Sequence, residues 1–241
     1  MDTSDDYFQK YSQTGYQQVE GWAQPQVFPV LKLINLYQRE SKLEGDVAEI
    51  GVHHGKFFIG LHNCLAEGQI SLAIDIFDDQ RFNVDHSGSA NLQRFLDNMN
   101  VHAFEPDRCV RLPGDSLSLR QQDIVQVAPR PVRTRIFSVD GGHTPEHTIN
   151  DIEVAISLCH GHAVIFVDDY YNPHWPGVHI GVARFYDRSY PSFVPFGYVR
   201  DKLMLTSLTW HKTYFDLLVN HCKDQPHFKA VSMFGHRVAV V

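Results

Sequence analysis

"IFSVDGGHTPEHTINDI" (136–152) is the stretch that decides how this chain is read. An apolar run ends on Asp140, a Gly-Gly pair follows, and His143 stands just before a helix start. Thr144 suits the N-cap, Pro145 the first helical position and Glu146 the first turn. A second apolar run, "HAVIFVDDYY" (162–171), ends the same way, on Asp168 and Asp169. Strand, helix and strand in succession make a parallel pair whose carboxyl ends share one edge of the sheet. Asp140, Asp168 and Asp169 are therefore expected to converge. Three unpaired carboxylates would raise one another's pKa, and a hard divalent cation such as Mg²⁺ resolves the repulsion. Capping of turns is the other employment open to such residues.

Outward from this pair the same alternation continues. Strands are expected at 46–51, 70–75, 109–116, 134–140 and 162–169, and helices at 26–40, 56–68, 90–101, 119–127 and 144–159. Several strands are continuously apolar, which means a parallel sheet covered on both faces. Segments 195–207 and 228–241 read as β-structure around a helix, with Gly235 permitting a hairpin and an antiparallel strand ending the sheet. Neither repeats nor linkers interrupt the 241 residues, so one domain is expected, with 1–44 as a helical cover and 45–241 as the core.

In such sheets ligands bind outside the carboxyl ends of the strands. "AEIGVHHGKF" (48–57) joins a strand to a helix start through Gly51 and Gly55, which let backbone approach a ligand. It lacks the G-x-G-x-x-G of a pyrophosphate cradle. Asp75 ends the second strand where a ribose diol is gripped in mononucleotide sites, and "GDS" (114–116) follows the third. His143, three residues past Asp140, has an ordinary pKa near ~6.5 suited to accepting a proton.

Taken together, these motifs resemble class I S-adenosylmethionine-dependent methyltransferases, in the divalent-metal-dependent O-methyltransferase branch. Sugar O-methyltransferases of macrolide biosynthesis are the nearer likeness and catechol O-methyltransferase the more distant one. The resemblance covers roughly 46–185 and is strongest in "VDGGH" and "VDDYY". It implies a doubly wound, Rossmann-like α/β fold with a mostly parallel, seven-stranded sheet. Glu49, Gly51, Gly55, Asp75, Asp115, Ser116 and Asp140 would meet the cofactor, and Asp140, Asp168 and Asp169 would hold the metal. His143 would be the base; the catechol enzyme has a lysine there, and an amide in place of Asp169. Tyr171 and Trp175, just past the metal strand, would border the acceptor, a hydroxyl of a sugar or secondary metabolite.

A metal-dependent hydrolase would use the same carboxylates but leaves the first two strand endings unexplained. A nicotinamide oxidoreductase would need the missing glycine triad, and a non-catalytic module, such as a homo-oligomeric partner in an assembly, would bind neither donor nor metal. The net charge of −7 argues against a nucleic-acid partner. An acidic start without an apolar region, and no run of ~20 apolar residues, argue against secretion and membrane spanning. Cys64, Cys109, Cys159 and Cys222 are too scattered for a zinc knuckle or disulfide framework, as suits a reducing cytoplasm.

Overall fold

The two strands on which the sequence reading turns are parallel neighbours, and strand order reverses beside the first of them. The structure, a computed structural model, describes residues 3–188 and 191–241. Strands β1 (Asp46–Ile50), β2 (Ser71–Asp75), β3 (Cys109–Pro113), β4 (Thr134–Val139) and β5 (Cys159–Val167) run parallel. They are joined by α-helical crossovers and followed by β6 (Phe193–Val199), β7 (Lys202–Ser207), β8 (Lys229–Met233) and β9 (His236–Val240). The order across the sheet is β3-β2-β1-β4-β5-β7-β6-β9-β8. The sheet thus has nine strands among the described residues, not seven. The two extra strands are the Gly235 hairpin: β9 pairs parallel with β6 through Gly197 and Tyr198, and β8 hangs on β9. Strand β7 runs antiparallel to both β5 and β6.

Helices cover both faces. On one, α1 (Ser4–Gln13), α2 (Val27–Glu40), α3 (Phe58–His62), α4 (Leu92–His102) and α8 (His211–Cys222) surround a core that includes Phe28, Leu31, Phe58, Phe95, Phe166 and Tyr214. On the other, α5 (Gln121–Val127), α6 (Pro145–Leu158) and α7 (Pro176–Arg188) enclose Ile50, Phe137, Ile152, Ile165 and Val182. The expected cover over 1–44 comprises α1 and α2, with Met1 and Asp2 outside the described residues. Helix α3 is far shorter than 56–68. The chain leaves it at Asn63, whose amide donates to the His102 carbonyl while its oxygen accepts from the Phe104 N–H. Helix α6 starts as its sequence demands, with the Thr144 hydroxyl accepting from the His147 N–H and Pro145 in the first turn. All four cysteines are buried and free. Among the described residues no helix is long and apolar enough to cross a membrane.

Register places the acidic endings. Ile50 pairs with Val139, and Val139 with Val167. Asp140 and Asp168 come one residue later and so stand level in neighbouring strands. Side chains alternate along a strand, so these two share a face with Glu49, two positions below in the same row pattern.

Candidate active site

The reversal between β1 and β4 opens a cavity of about 680 Å³ at the carboxyl edge of the sheet, within the range of small-molecule sites. Its wall takes residues from all five parallel strand endings, Glu49, Asp75, Asp115, Asp140 and Asp168 among them. The segment between β2 and α4 closes one side with Phe82, Val84 and Asp85, and Trp22 reaches in from the N-terminal part.

Glu49 is 1% exposed, and its Oε1 has no hydrogen-bond partner. Burial pushes its pKa up to about 8 despite the opposing pull of Lys202. Asp75 is held more firmly: one oxygen accepts from the Phe77 N–H and the other from the His53 N–H at 2.8 Å. Burial still raises it to about 6, those bonds notwithstanding. Asp115 accepts from the Leu117 N–H at 3.1 Å and faces the His147 ring at 3.6 Å, while Ser116 is buried beside it in the wall.

Of the two glycines of the first loop, Gly51 lines the cavity and Gly55 does not. Gly51 has φ +84°, and a Cβ there would overlap the Asp140 carbonyl, so its smallness lets the β1 and β4 endings touch. Gly55, at φ +93°, lies outside the cavity wall, where an added Cβ would meet Phe95 at 3.2 Å. The Gly-Gly pair after Asp140 is packed likewise: a Cβ on Gly141 would strike the Asp151 carboxylate, and one on Gly142 the His147 ring.

His143 is clamped. Its Nδ1 lies 2.7 Å from Asp85 Oδ2, which also accepts the His143 backbone N–H at 2.8 Å. Its Nε2 lies 2.9 Å from Asp169 Oδ2, and Trp175 stacks on the ring at 4.3 Å. Burial disfavours the charged ring, but the hydrogen bonds to Asp169 and Asp85 outweigh it and push the pKa up to about 10. As drawn, both nitrogens donate and no lone pair is free. Asp169 sits in the left-handed region at φ +56°, a strained conformation for a non-glycine residue. Asn172 donates to its second oxygen at 2.6 Å.

Of the three expected metal ligands, two come together. Asp140, Asp169 and His143 each offer a ligand atom, and these lie within 4.8 Å of one another. Two atoms bound to one ion at ~2.0–2.6 Å stand no more than about 5 Å apart, so this set fits a divalent cation. Burial, then the Asp168 charge, raises the pKa of Asp140, as an acid short of a counter-ion should show. Asp168 departs from the expectation. Its Oδ2 is paired with the ammonium of Lys202, and its Oδ1 accepts the Asp169 N–H at 3.0 Å. Trp175 lines the cavity as expected, but Tyr171 does not: it is 53% exposed and packs among Tyr170, His179 and Tyr198. Asp85 and Lys202 were invisible to motif reading. Asp85 lies in an irregular loop, whereas Lys202 was accessible in principle, since register sets it opposite Asp168 once β7 is paired with β5.

Solved structures share this fold. The O-methyltransferase NovP superposes with a TM-score of 0.60 and 15% identity, over 75% of this chain and 80% of that one. TomG from Streptomyces achromogenes, an O-methyltransferase of tomaymycin synthesis solved in complex with SAM, gives 0.53 and 19%, over 83% and 88%. CalS11, the TDP-rhamnose 3'-O-methyltransferase of calicheamicin biosynthesis, gives 0.50 and 13%, over 86% and 96%. No curated protein matches the chain in sequence. The pattern of the methyltransferase domain matches residues 48–170. That stretch runs from the strand bearing Glu49 to the ending bearing Asp168 and Asp169, so the acidic endings of all five parallel strands lie inside it, and the chain belongs to the methyltransferase domain family.

Proposed function

We propose that this methyltransferase moves the methyl group of S-adenosylmethionine to a hydroxyl of a small molecule, a sugar or secondary metabolite, bound beside a divalent cation, Mg²⁺ by donor type. The observation that carries the reading is the convergence of His143, Asp140 and Asp169 beside the Glu49–Gly51 ending. The relatives support it in kind: TomG holds SAM, and CalS11 acts on a sugar.

In this reading the cofactor lies along β1 and β2. Asp75 keeps spare lone pairs for ribose hydroxyls, and Glu49 Oε1, unpartnered in the wall, faces a ligand that carries a sulfonium charge. Asp140 and Asp169 would hold the cation with His143 at its side, and the cation would lower the acceptor hydroxyl's pKa. His143 takes the acceptor proton at Nε2. That atom now donates to Asp169, so its present proton would first have to leave to solvent, which engagement of Asp169 by the cation would permit. Asp85 keeps Nδ1 protonated and the ring plane fixed, and Trp175 shields one face from water.

Calorimetry with S-adenosylmethionine, with and without MgCl₂, is the test. One-to-one binding of the donor is expected, followed by transfer to hydroxylated acceptors. Absence of donor binding under both conditions refutes the reading.

A further inference from the structure

Lys202 has no part in the reaction described above, yet it stands among the acidic residues of the cavity floor, where Asp168, Asp140 and Glu49 act on it. It opens β7, one position beyond the Val167–Leu203 pair, and so stands across from Asp168 on the next strand. Its side chain is 2% exposed. The ammonium pairs with Asp168 and lies over the Phe57 ring, 4.3 Å from its centroid. An aromatic face attracts a cation, so Phe57 and Asp168 hold the charge from two sides. Glu49 and Asp140 share this face of the sheet, and their charges also act on Lys202.

The consequence falls on Asp168. Both of its oxygens are engaged, one by Lys202 and one by the Asp169 N–H. It contributes no atom to the group formed by Asp140, His143 and Asp169. A third carboxylate stands beside the candidate cation site and is held out of it by an ammonium fixed to the neighbouring strand. A divalent ion recruiting Asp168 through its remaining lone pairs would compete with the ammonium for the carboxylate's charge and would sit close to Lys202, which like charges resist.

We infer that Lys202 is a resident counter-ion that competes with a divalent ion for Asp168 and confines that ion to Asp140 and Asp169. The inference rests on the metal reading under Proposed function. It makes the ion weakly held and the acidic floor stable without it. Coupling of this kind is reciprocal: whatever the Lys202–Asp168 pair subtracts from ion affinity, the ion subtracts from the pair.

The test is calorimetric titration of metal-free full-length protein with MnCl₂ alone, in the absence of cofactor. Four forms are compared: wild type, Lys202→Met, Asp168→Asn, and the double variant. Lys202→Met should bind Mn²⁺ at least tenfold more tightly than wild type. Asp168→Asn, which leaves Lys202 unpaired beside the ion, should bind more weakly than wild type, and the double variant should lose the gain and return to within about threefold of wild type, since the gain comes from releasing Asp168. Melting in EDTA supplies a readout independent of turnover: Lys202→Met should melt lower than wild type and recover when Mn²⁺ is added. If Lys202→Met does not fold without metal, Lys202→Arg, which keeps the charge, should fold and bind as wild type does, and the double variant, which buries neither charge unpaired, still decides. A loss of more than tenfold in the double variant, which has no ammonium left to repel the ion, makes Asp168 a ligand already and overturns the inference while the metal reading stands. Equal affinity of Lys202→Met and wild type overturns it in the same way. If no form binds Mn²⁺, the inference and the metal reading fall together.

Discussion

Replacing Asp85 by Asn tests the clamp on His143 with little change of shape. His143 titrates near 10 in the folded protein, against an ordinary value of 6.5. The difference, at 1.36 kcal/mol per pH unit, is a preference of roughly 5 kcal/mol for the charged ring, after burial has opposed it. Asp169 and Asp85 supply it together. If they contribute about equally, Asn at 85 removes roughly 2 kcal/mol, and the midpoint falls by roughly 1.5 pH units. The sign follows from linkage. A pKa raised on folding stabilises fully below the unfolded value and loses that contribution as pH rises through the folded one. The stability difference between wild type and Asp85→Asn should therefore be greatest between about pH 4 and 6.5, decline at lower pH as Asp85, whose own pKa is lowered on folding, takes up its proton, and vanish above about 10. Ring-proton NMR of the metal-free protein follows the midpoint, and thermal melts across the same pH range follow the stability. A His143 midpoint unchanged to within roughly 0.3 pH unit would refute the reasoning, because the bond at Nδ1 would then contribute nothing to the ring's charge.

Three further outcomes are expected. His143→Ala should lower kcat by about 10²-fold or more while S-adenosylmethionine affinity stays within about threefold, as steady-state kinetics and calorimetry would show; a loss confined to cofactor affinity would take the residue out of the proton path. Glu49 gains its charge near pH 8, so affinity for the cationic donor should rise through that pH relative to the neutral product S-adenosylhomocysteine; a flat ratio between pH 6.5 and 9 counts against Glu49 facing the sulfonium. Gly51→Ala should destabilise the fold by more than about 3 kcal/mol in urea denaturation, since the added methyl overlaps the Asp140 carbonyl at a residue with φ +84°.

What could be read in the sequence followed the hydrogen-bonded ladder. Strands β1, β2 and β4 are buried along their whole length and β5 over its last five residues, so their runs are largely apolar and their ends are marked by polar residues. Asp140 and Asp168 stand level because one crossover joins their strands, which fixes their relation within a few residues. Side-chain partnership across the fold was not legible. Whether Asp168 faces an ion or an ammonium depends on β7, which pairs with β5 only after the chain has passed through α7 and β6. Asp85 belongs to a segment of irregular backbone with no periodicity to read, and its bond to His143 spans 58 residues. Tyr171 misled through adjacency: Trp175, four residues on, turns into the cavity, while Tyr171 turns out to a cluster of aromatic rings. The shortfall in α3 has the same origin, because Asn63 finds its partners in the segment after α4.

The glycine contacts around residues 140–143 have a mechanical consequence. Gly51 lies against the Asp140 carbonyl, Gly141 against Asp151, Gly142 against His147, and Gly177 of the next helix against the His143 carbonyl. A ribbon wedged on four sides by backbone, carboxylate and ring atoms cannot bend to suit different guests, so the proposed reacting centre is stiff before anything enters it. Accommodation of unlike acceptors has to come from the opposite rim, where Trp22, Phe82 and Val84 stand 72%, 42% and 56% exposed on irregular backbone. Retargeting the enzyme is therefore a matter of rewriting that rim and leaving the ribbon untouched.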